Sequence, residues 1–179
     1  TLAGLDLATP TLEASLSASG LVLTTLSVGE VAGAGVQVSG RLGGPEAETP
    51  LVLEAEVAAE DAGRFLTLLG IPAPGPLRRI GTATWQGRLS GGPASLDIDG
   101  SLTALGGTLT LGGSVGEPFG SATYDLALRL TLPEARPLVQ VTAPAWQPRG
   151  PLGDLDVYTV LTGTPRELAF GQIQGHVAG

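Results

Sequence analysis

Two aspartates spaced two residues apart are the residues of this chain best suited to chemistry. Asp97 and Asp99 would point to the same side of a strand, and paired carboxylates can bind calcium or act on glycosides. They alternate with Leu96 and Ile98, so an amphipathic strand would place them on its solvent face, where charged side chains normally lie. The pattern therefore predicts an exposed pair rather than a site.

The other residues that commonly catalyse reactions or ligate metals are isolated. His176 is the only histidine and the chain has no cysteine, so a histidine-based triad or a zinc site would lack its partners. The glycine-rich segments 91–93 and 112–113 lie between alternating runs and match no phosphate loop, dinucleotide fingerprint or nucleophile elbow. We therefore predict that the protein is not an enzyme, with no catalytic residue, no metal site and no cofactor.

The charge pattern narrows the class of partner. The net charge is −8 at pH 7, and the nine basic residues are arginines that are scattered except for Arg78 and Arg79. Binding to phosphates needs a basic stripe, so no nucleic-acid partner is predicted. No apolar run approaches the length of a transmembrane helix, about eighteen residues or more. The lack of cysteine fits a cytoplasmic and an extracytoplasmic protein equally well.

The sequence predicts strands interrupted by short helices, and these elements would carry any functional surface. Over 51–58 apolar and polar residues largely alternate with a period of two, as in a half-buried strand. The period then changes to that of a helix over Glu60–Leu69, which Gly70 ends. A similar stretch predicts a second helix over Pro133–Val139, shortened by Pro137.

The pattern recurs at a fixed offset. Leu53 and Leu126 lie 73 residues apart, and Leu89 and Leu161 lie 72 residues apart. Self-similarity at a fixed period indicates an array of structural units. We expect a single continuous β array that is a fragment of a longer protein. Its predicted segments are the C-terminal part of a preceding repeat (1–50), a full repeat (51–123) and a partial following repeat (124–179).

These patterns predict a mainly β fold of repeated antiparallel β-sheet units with one short helix per repeat. The units would form either an elongated, curled β-groove or a flattened β-sandwich. Alternation gives each strand one apolar face that must be hidden, and an aromatic content of only 4% favours a trough holding something apolar over a thick core. The predicted apolar, lipid-facing stripe is Leu51, Leu53, Val57, Leu96, Ile98, Leu126, Leu128, Leu130, Val157 and Leu161.

The succession of these segments resembles the AsmA-like family of periplasmic β-repeat proteins, the AsmA/TamB type. The resemblance rests on a helical segment AEDAGRFLTLLGIPAPGP, a strand segment TATWQGRLSGGPASLDI and a Gly-Gly turn segment SLTALGGTLTLGGSV. It implies a Gram-negative envelope protein involved in outer-membrane biogenesis and lipid transport between membranes. It also implies a periplasmic body tethered to the inner membrane through a segment outside this sequence. Phospholipid acyl chains are the implied partner, and the family has no catalytic residues to carry over.

Two functions of different classes remain open. The first is a lipid-conduit segment, and the second is a structural or adhesive β-repeat module with a dry core and no ligand. Trp85, in a strand, and Trp146, in a loop, fit packing better than sugar stacking, because large aromatic side chains stabilise mainly by burial. Lipid that co-purifies with the protein would distinguish the two functions.

Overall fold

One antiparallel sheet dominates the chain. The computed structural model describes residues 8–17, 20–31, 33–43, 51–64, 75 and 77–178 of the 179. Ten strands of these residues form a sheet whose strand order is the order of the chain. The strands are β1 (Ala8–Ser17), β2 (Gly20–Val31), β3 (Ala34–Gly43), β4 (Leu51–Ala59), β5 (Ala83–Gly91), β6 (Ser95–Ala104), β7 (Gly107–Gly116), β8 (Thr123–Leu132), β9 (Asp154–Thr164) and β10 (Glu167–Ala178).

The mainly β, antiparallel fold predicted from alternation is confirmed. Tight turns allow consecutive strands to pair. Leu105 and Gly106 join β6 to β7 with positive φ angles of 55° and 75°, the signs that a two-residue type I′ hairpin requires. The described residues form one open sheet, which fits the groove rather than the flattened sandwich, since a sandwich needs a second sheet that these residues do not form.

The first predicted helix, Glu60–Leu69, is described only at its start. Residues 62–64 are helical. The Asp61 carboxylate accepts a hydrogen bond of 2.9 Å from the backbone N–H of Arg64, as an N-cap does. The rest of this prediction lies outside the described residues.

The second helix, α1 (Arg136–Thr142), begins three residues later than the predicted Pro133–Val139 and also ends later. Because of the later start, Pro137 falls in the first turn of the helix, where its missing N–H has no intrahelical partner to lose. The prediction that Pro137 shortens the helix was therefore wrong, because Pro137 removes no hydrogen bond from it. A short 3-10 turn, Leu77–Arg79, precedes β5 in the other long connection.

The two long connections, β4 to β5 and β8 to β9, are closed by equivalent hydrogen bonds. The N–H of Ala62 donates to the Gly81 carbonyl at 2.8 Å, and the N–H of Ala135 donates to the Gly153 carbonyl at 2.9 Å. Gly81 and Gly153 have φ angles of 72° and 71°. These bonds follow the period seen in the sequence, while the division into three segments stays a prediction.

A carboxylate and a guanidinium organise the second of these connections. Oε1 of Glu134 accepts hydrogen bonds from the backbone N–H groups of Arg136 and Leu152, both at 3.1 Å. The Arg136 guanidinium donates to the carbonyls of Pro148 and Gly150. Backbone groups that a proline-rich loop would otherwise leave to water are thereby paired.

Most of the buried side chains lie at the end of the sheet where these connections cross, while Leu96 and Val115 are buried at the other end. Ala34, Ala59 and Ala83 are register partners in β3, β4 and β5, and each is buried. Leu132 and Val141 are buried near the second connection. No helix among the described residues combines the length and apolar character needed to cross a bilayer.

Candidate functional site

The strand register brings all ten residues of the predicted stripe to one face of the sheet. Residues directly opposite each other in an antiparallel pair point to the same side. One row of partners from β4 to β9 is Leu53, Leu89, Ile98, Gly113, Leu126 and Leu161. A second is Val57, Trp85, Leu102, Leu109, Leu130 and Val157. Leu51 reaches Leu96 through Gly91, and Leu128 pairs with Leu111.

We call this side of β3–β9 the apolar face. It comprises every second residue of 34–42, 51–59, 83–91, 96–104, 107–115, 124–132 and 155–163. These positions hold apolar residues and glycine, together with Tyr124 and Thr159, and no charged side chain. At the spacing between paired strands, about 4.8 Å, seven strands span about 30 Å.

The sequence-based stripe omitted several members of this face. Leu89, Leu102, Leu109 and Leu111 lie in the same rows as the predicted residues. Their alternation with polar neighbours was the same signal that selected Leu53 and its partners. The apolar residues therefore form a surface that is wider than the predicted stripe.

Most side chains of the apolar face are half-buried, although the described residues form a single sheet. No large side chain is completely buried among these residues. The chain exposes 11237 Å² to solvent, whereas a compact monomer of its mass, 17.9 kDa, exposes about 8000 Å². The apolar face is therefore neither fully exposed nor sealed by a second layer of the described residues.

Trp85 covers the glycine pair at the centre of the apolar face. Gly87 and Gly100 are direct partners in β5 and β6. A Cβ atom added at Gly87 would lie 2.3 Å from Cζ2 of the indole, and one added at Gly100 would lie 3.2 Å from it. The glycines therefore make room for the ring, and Trp85 packs against the sheet at this point. Trp146, in contrast, is 55% exposed.

The polar face, on the opposite side of the same strands, carries the charges. Arg129 of β8 donates two hydrogen bonds to the Asp156 carboxylate of β9, at 3.0 Å and 2.6 Å. The hydrogen bond and charge of Arg129 lower the pKa of Asp156 below its usual value, and the same contact raises the pKa of Arg129. Arg88 and Glu54 form a looser ion pair at 3.8 Å, with both side chains mostly exposed.

The polar face is also recessed. An open trough of about 1040 Å³ crosses eight strands, from Thr25 of β2 to Tyr158 of β9, and its lining combines charged residues such as Arg129 with apolar residues such as Val38 and Leu128. A second recess of about 580 Å³ is lined partly by Arg88, Asp97 and Asp125. Carboxylates and guanidinium groups make these recesses less suitable for acyl chains than an uncharged surface, because desolvating a charge is costly. The apolar face, which holds no charged side chain, suits an apolar ligand better.

The sequence-based candidates for chemistry lie on the polar side. Asp97 and Asp99 are exposed there, as predicted, opposite Ser90 and Arg88. His176 of β10 is exposed and lies opposite Asp156 of β9. Within the described ranges, no three His, Asp or Glu side chains gather as they would around a metal ion.

The face assignments rest on geometry alone. Comparison of the chain with protein-family models, with curated proteins and with solved structures finds no match.

Proposed function

We propose that this chain is a non-enzymatic segment of an AsmA-like envelope protein whose apolar face contacts the acyl chains of phospholipids in transit between membranes. The observation that supports it is the uncharged surface across seven strands, described above. A periplasmic location and an inner-membrane tether outside this sequence belong to the same proposal.

The dimensions of the apolar face suit such a ligand. One acyl chain spans half of a bilayer hydrocarbon core, about 15 Å, and the face extends about 30 Å across the strands. Each methylene group removed from water contributes about 0.8 kcal/mol. An acyl chain that lies on the rows of leucine and valine would gain this free energy without a specific hydrogen bond. An uninterrupted uncharged surface is therefore sufficient for binding.

A structural or adhesive β-repeat module is the second candidate. The packing of Trp85 over Gly87 and Gly100 favours it, because the centre of the apolar face is already partly covered by the protein itself. In this alternative the half-buried leucines form a thin dry core and bind nothing.

Native mass spectrometry with lipid extraction separates these candidates. We expect phospholipid to co-purify with the protein, and Leu128→Asp to reduce the bound lipid at least tenfold, because the carboxylate would lie among the apolar rows. The matched control is Thr110→Asp, which adds the same charge at an exposed position of the polar face opposite Arg129. Circular dichroism and thermal unfolding identify variants that have not folded.

Lipid that is absent from repeated preparations of the wild-type protein would overturn the proposal. Equal lipid content in folded Leu128→Asp and Thr110→Asp proteins would also overturn it. Either result would leave the structural module as the better account.

A further inference from the structure

The trough on the polar face has no part in the proposed lipid contact. It has a volume of about 1040 Å³ and runs from Thr25 of β2 to Tyr158 of β9. Seven strand spacings of about 4.8 Å make it about 34 Å long across the sheet. Its volume is that of a ligand-binding cleft, and its open, elongated form suits a chain of linked units better than one small molecule.

The floor of the trough is bare at its β7–β8 part. Gly112 of β7 and Ala127 of β8 are register partners on the polar face, and both line the trough and the second recess. The nearest atom to a Cβ added at Gly112 would be Oδ2 of Asp99, at 3.9 Å. Space for a ligand therefore lies directly above the backbone here, between Asp99 on β6 and Tyr158 on β9.

The walls around this floor combine several kinds of hydrogen-bonding group. The Asp99 carboxylate accepts hydrogen bonds, the Arg88 guanidinium donates them and the Gln86 amide does both. All three side chains line the trough and are exposed. Tyr158 adds a half-buried aromatic ring with a polar hydroxyl group. Carboxylates and guanidinium groups form strong hydrogen bonds with neutral partners, so these walls suit a ligand that is rich in hydroxyl groups.

The same lining disfavours the other chain-like ligands. Five carboxylates and two guanidinium groups line the two recesses, those of Glu54, Glu56, Asp97, Asp99, Asp125, Arg88 and Arg129. An acyl chain would desolvate these charges, and the excess of carboxylates repels nucleic acid and other polyanions. A peptide strand would need an unpaired sheet edge, whereas β2 to β9 each pair on both sides.

We propose that this trough binds an uncharged oligosaccharide, with one sugar ring lying on the floor formed by Gly112 and Ala127. A sugar ring has C–H groups on its faces and hydroxyl groups around its edge. The C–H face would pack on the bare floor and against the Tyr158 ring, while the hydroxyl groups hydrogen-bond to Asp99 and Arg88. The units linked to this sugar would continue along the trough. The site lies on the opposite side of the sheet from the apolar face and does not depend on lipid binding.

NMR titration of the isotope-labelled protein with maltohexaose, laminarihexaose and N-acetylchitohexaose tests the site. We expect at least one of these saccharides to bind with a dissociation constant on the order of 1 mM or below, because an open trough covers only part of its ligand. Binding should shift the amide signals of Gly112 and Ala127 more than that of Val141, which lies in α1.

Two variants with matched controls locate the saccharide. Gly112→Leu fills the floor without removing a side chain and should weaken binding about tenfold, because the leucine would clash with the sugar ring. Thr103→Leu adds the same side chain at an exposed position of β6 outside both recesses and should not. Asp99→Ala should also weaken binding about tenfold. Asp154→Ala, which removes a carboxylate that lines neither recess, should not. Thermal unfolding identifies variants that have not folded.

Three results would overturn the proposal. The first is that none of the three saccharides binds to the wild-type protein. The second is binding of hexalysine in their place, which would indicate a cationic peptide attracted by the carboxylates. The third is equal weakening of saccharide binding by Gly112→Leu and Thr103→Leu, which would place the sugar outside the trough. The lipid content of the Gly112→Leu protein should equal that of the wild-type protein, so failure of this proposal is distinguishable from failure of the lipid proposal.

Discussion

Asp125 and Leu126 are neighbours in β8, yet they belong to surfaces with opposite properties. Asp125 is exposed on the polar face, opposite Ser114 and Thr162. Leu126 is half-buried on the apolar face, opposite Gly113 and Leu161. A pleated strand turns successive side chains to opposite sides, so the same backbone builds both surfaces. The difference therefore arises from the spacing of residue types alone, and one step in register would exchange the faces.

The two faces also use glycine differently, and this gives the prediction with the largest expected effect on stability. Gly113, on the apolar face, has a φ angle of 146°, and a Cβ atom there would lie 2.1 Å from the Asp125 carbonyl oxygen. We expect Gly113→Ala to lower the free energy of unfolding by about 3 kcal/mol, because strain and a backbone clash add. Chemical denaturation measures the loss.

The adjacent glycine is the matched control. Gly112 lies on the polar face, and the nearest atom to an added Cβ would be Oδ2 of Asp99, at 3.9 Å. Gly112→Ala should therefore change stability by less than about 0.5 kcal/mol. Gly40, which lies 73 residues before Gly113, has a φ angle of 149° and should behave as Gly113 does. Equal losses of stability for Gly112→Ala and Gly113→Ala would show that the backbone is not more tightly constrained on the apolar face than on the polar face.

The ion pair of the polar face gives a smaller and pH-dependent effect. Arg129 lowers the pKa of Asp156, so the folded state holds this carboxylate charged to a lower pH than the unfolded state does. The stabilisation is therefore present above the unfolded pKa, about 4, and is lost as the pH falls through the folded pKa. Arg129→Gln should raise the pKa of Asp156 in an NMR titration and reduce the part of the pH-dependent stability that this carboxylate contributes.

Arg88→Gln is the control for this titration, since Arg88 pairs with Glu54 and not with Asp156. It should leave the Asp156 titration where it is in the wild-type protein. A pKa of Asp156 that does not respond to Arg129→Gln would mean that the contact between β8 and β9 is not maintained in solution.

Alternation was sufficient to predict the β fold and the face on which each stripe residue lies. Alternation with a period of two is a local property of the sequence. The residues next to Leu53 and Glu54 were therefore enough to assign these two side chains to opposite sides of the sheet. The start of α1 was not predictable in this way, because Pro137 is acceptable at one position of a helix and harmful four residues later.

The register that aligns the residues of neighbouring strands also could not be predicted from the alternation within each strand. Trp85 meets Gly87 and Gly100 only because β5 and β6 pair in one register, and that pairing joins residues distant in the chain. The recess on the polar face likewise depends on how eight strands lie together. Composition alone suggested a trough with an apolar lining, whereas the described recesses combine apolar residues with charged ones such as Arg88 and Asp99.

The two tryptophans allow the apolar face to be tested directly for lipid contact. The chain has two tryptophans; Trp85 lies on the apolar face, and Trp146 is exposed beyond α1. Trp146→Phe protein reports on Trp85 alone, and Trp85→Phe protein reports on Trp146 alone. With phosphatidylcholine vesicles that carry dibrominated acyl chains, the account predicts quenching of Trp85 fluorescence and little quenching of Trp146. Equal quenching of both residues, or none at Trp85, would contradict it.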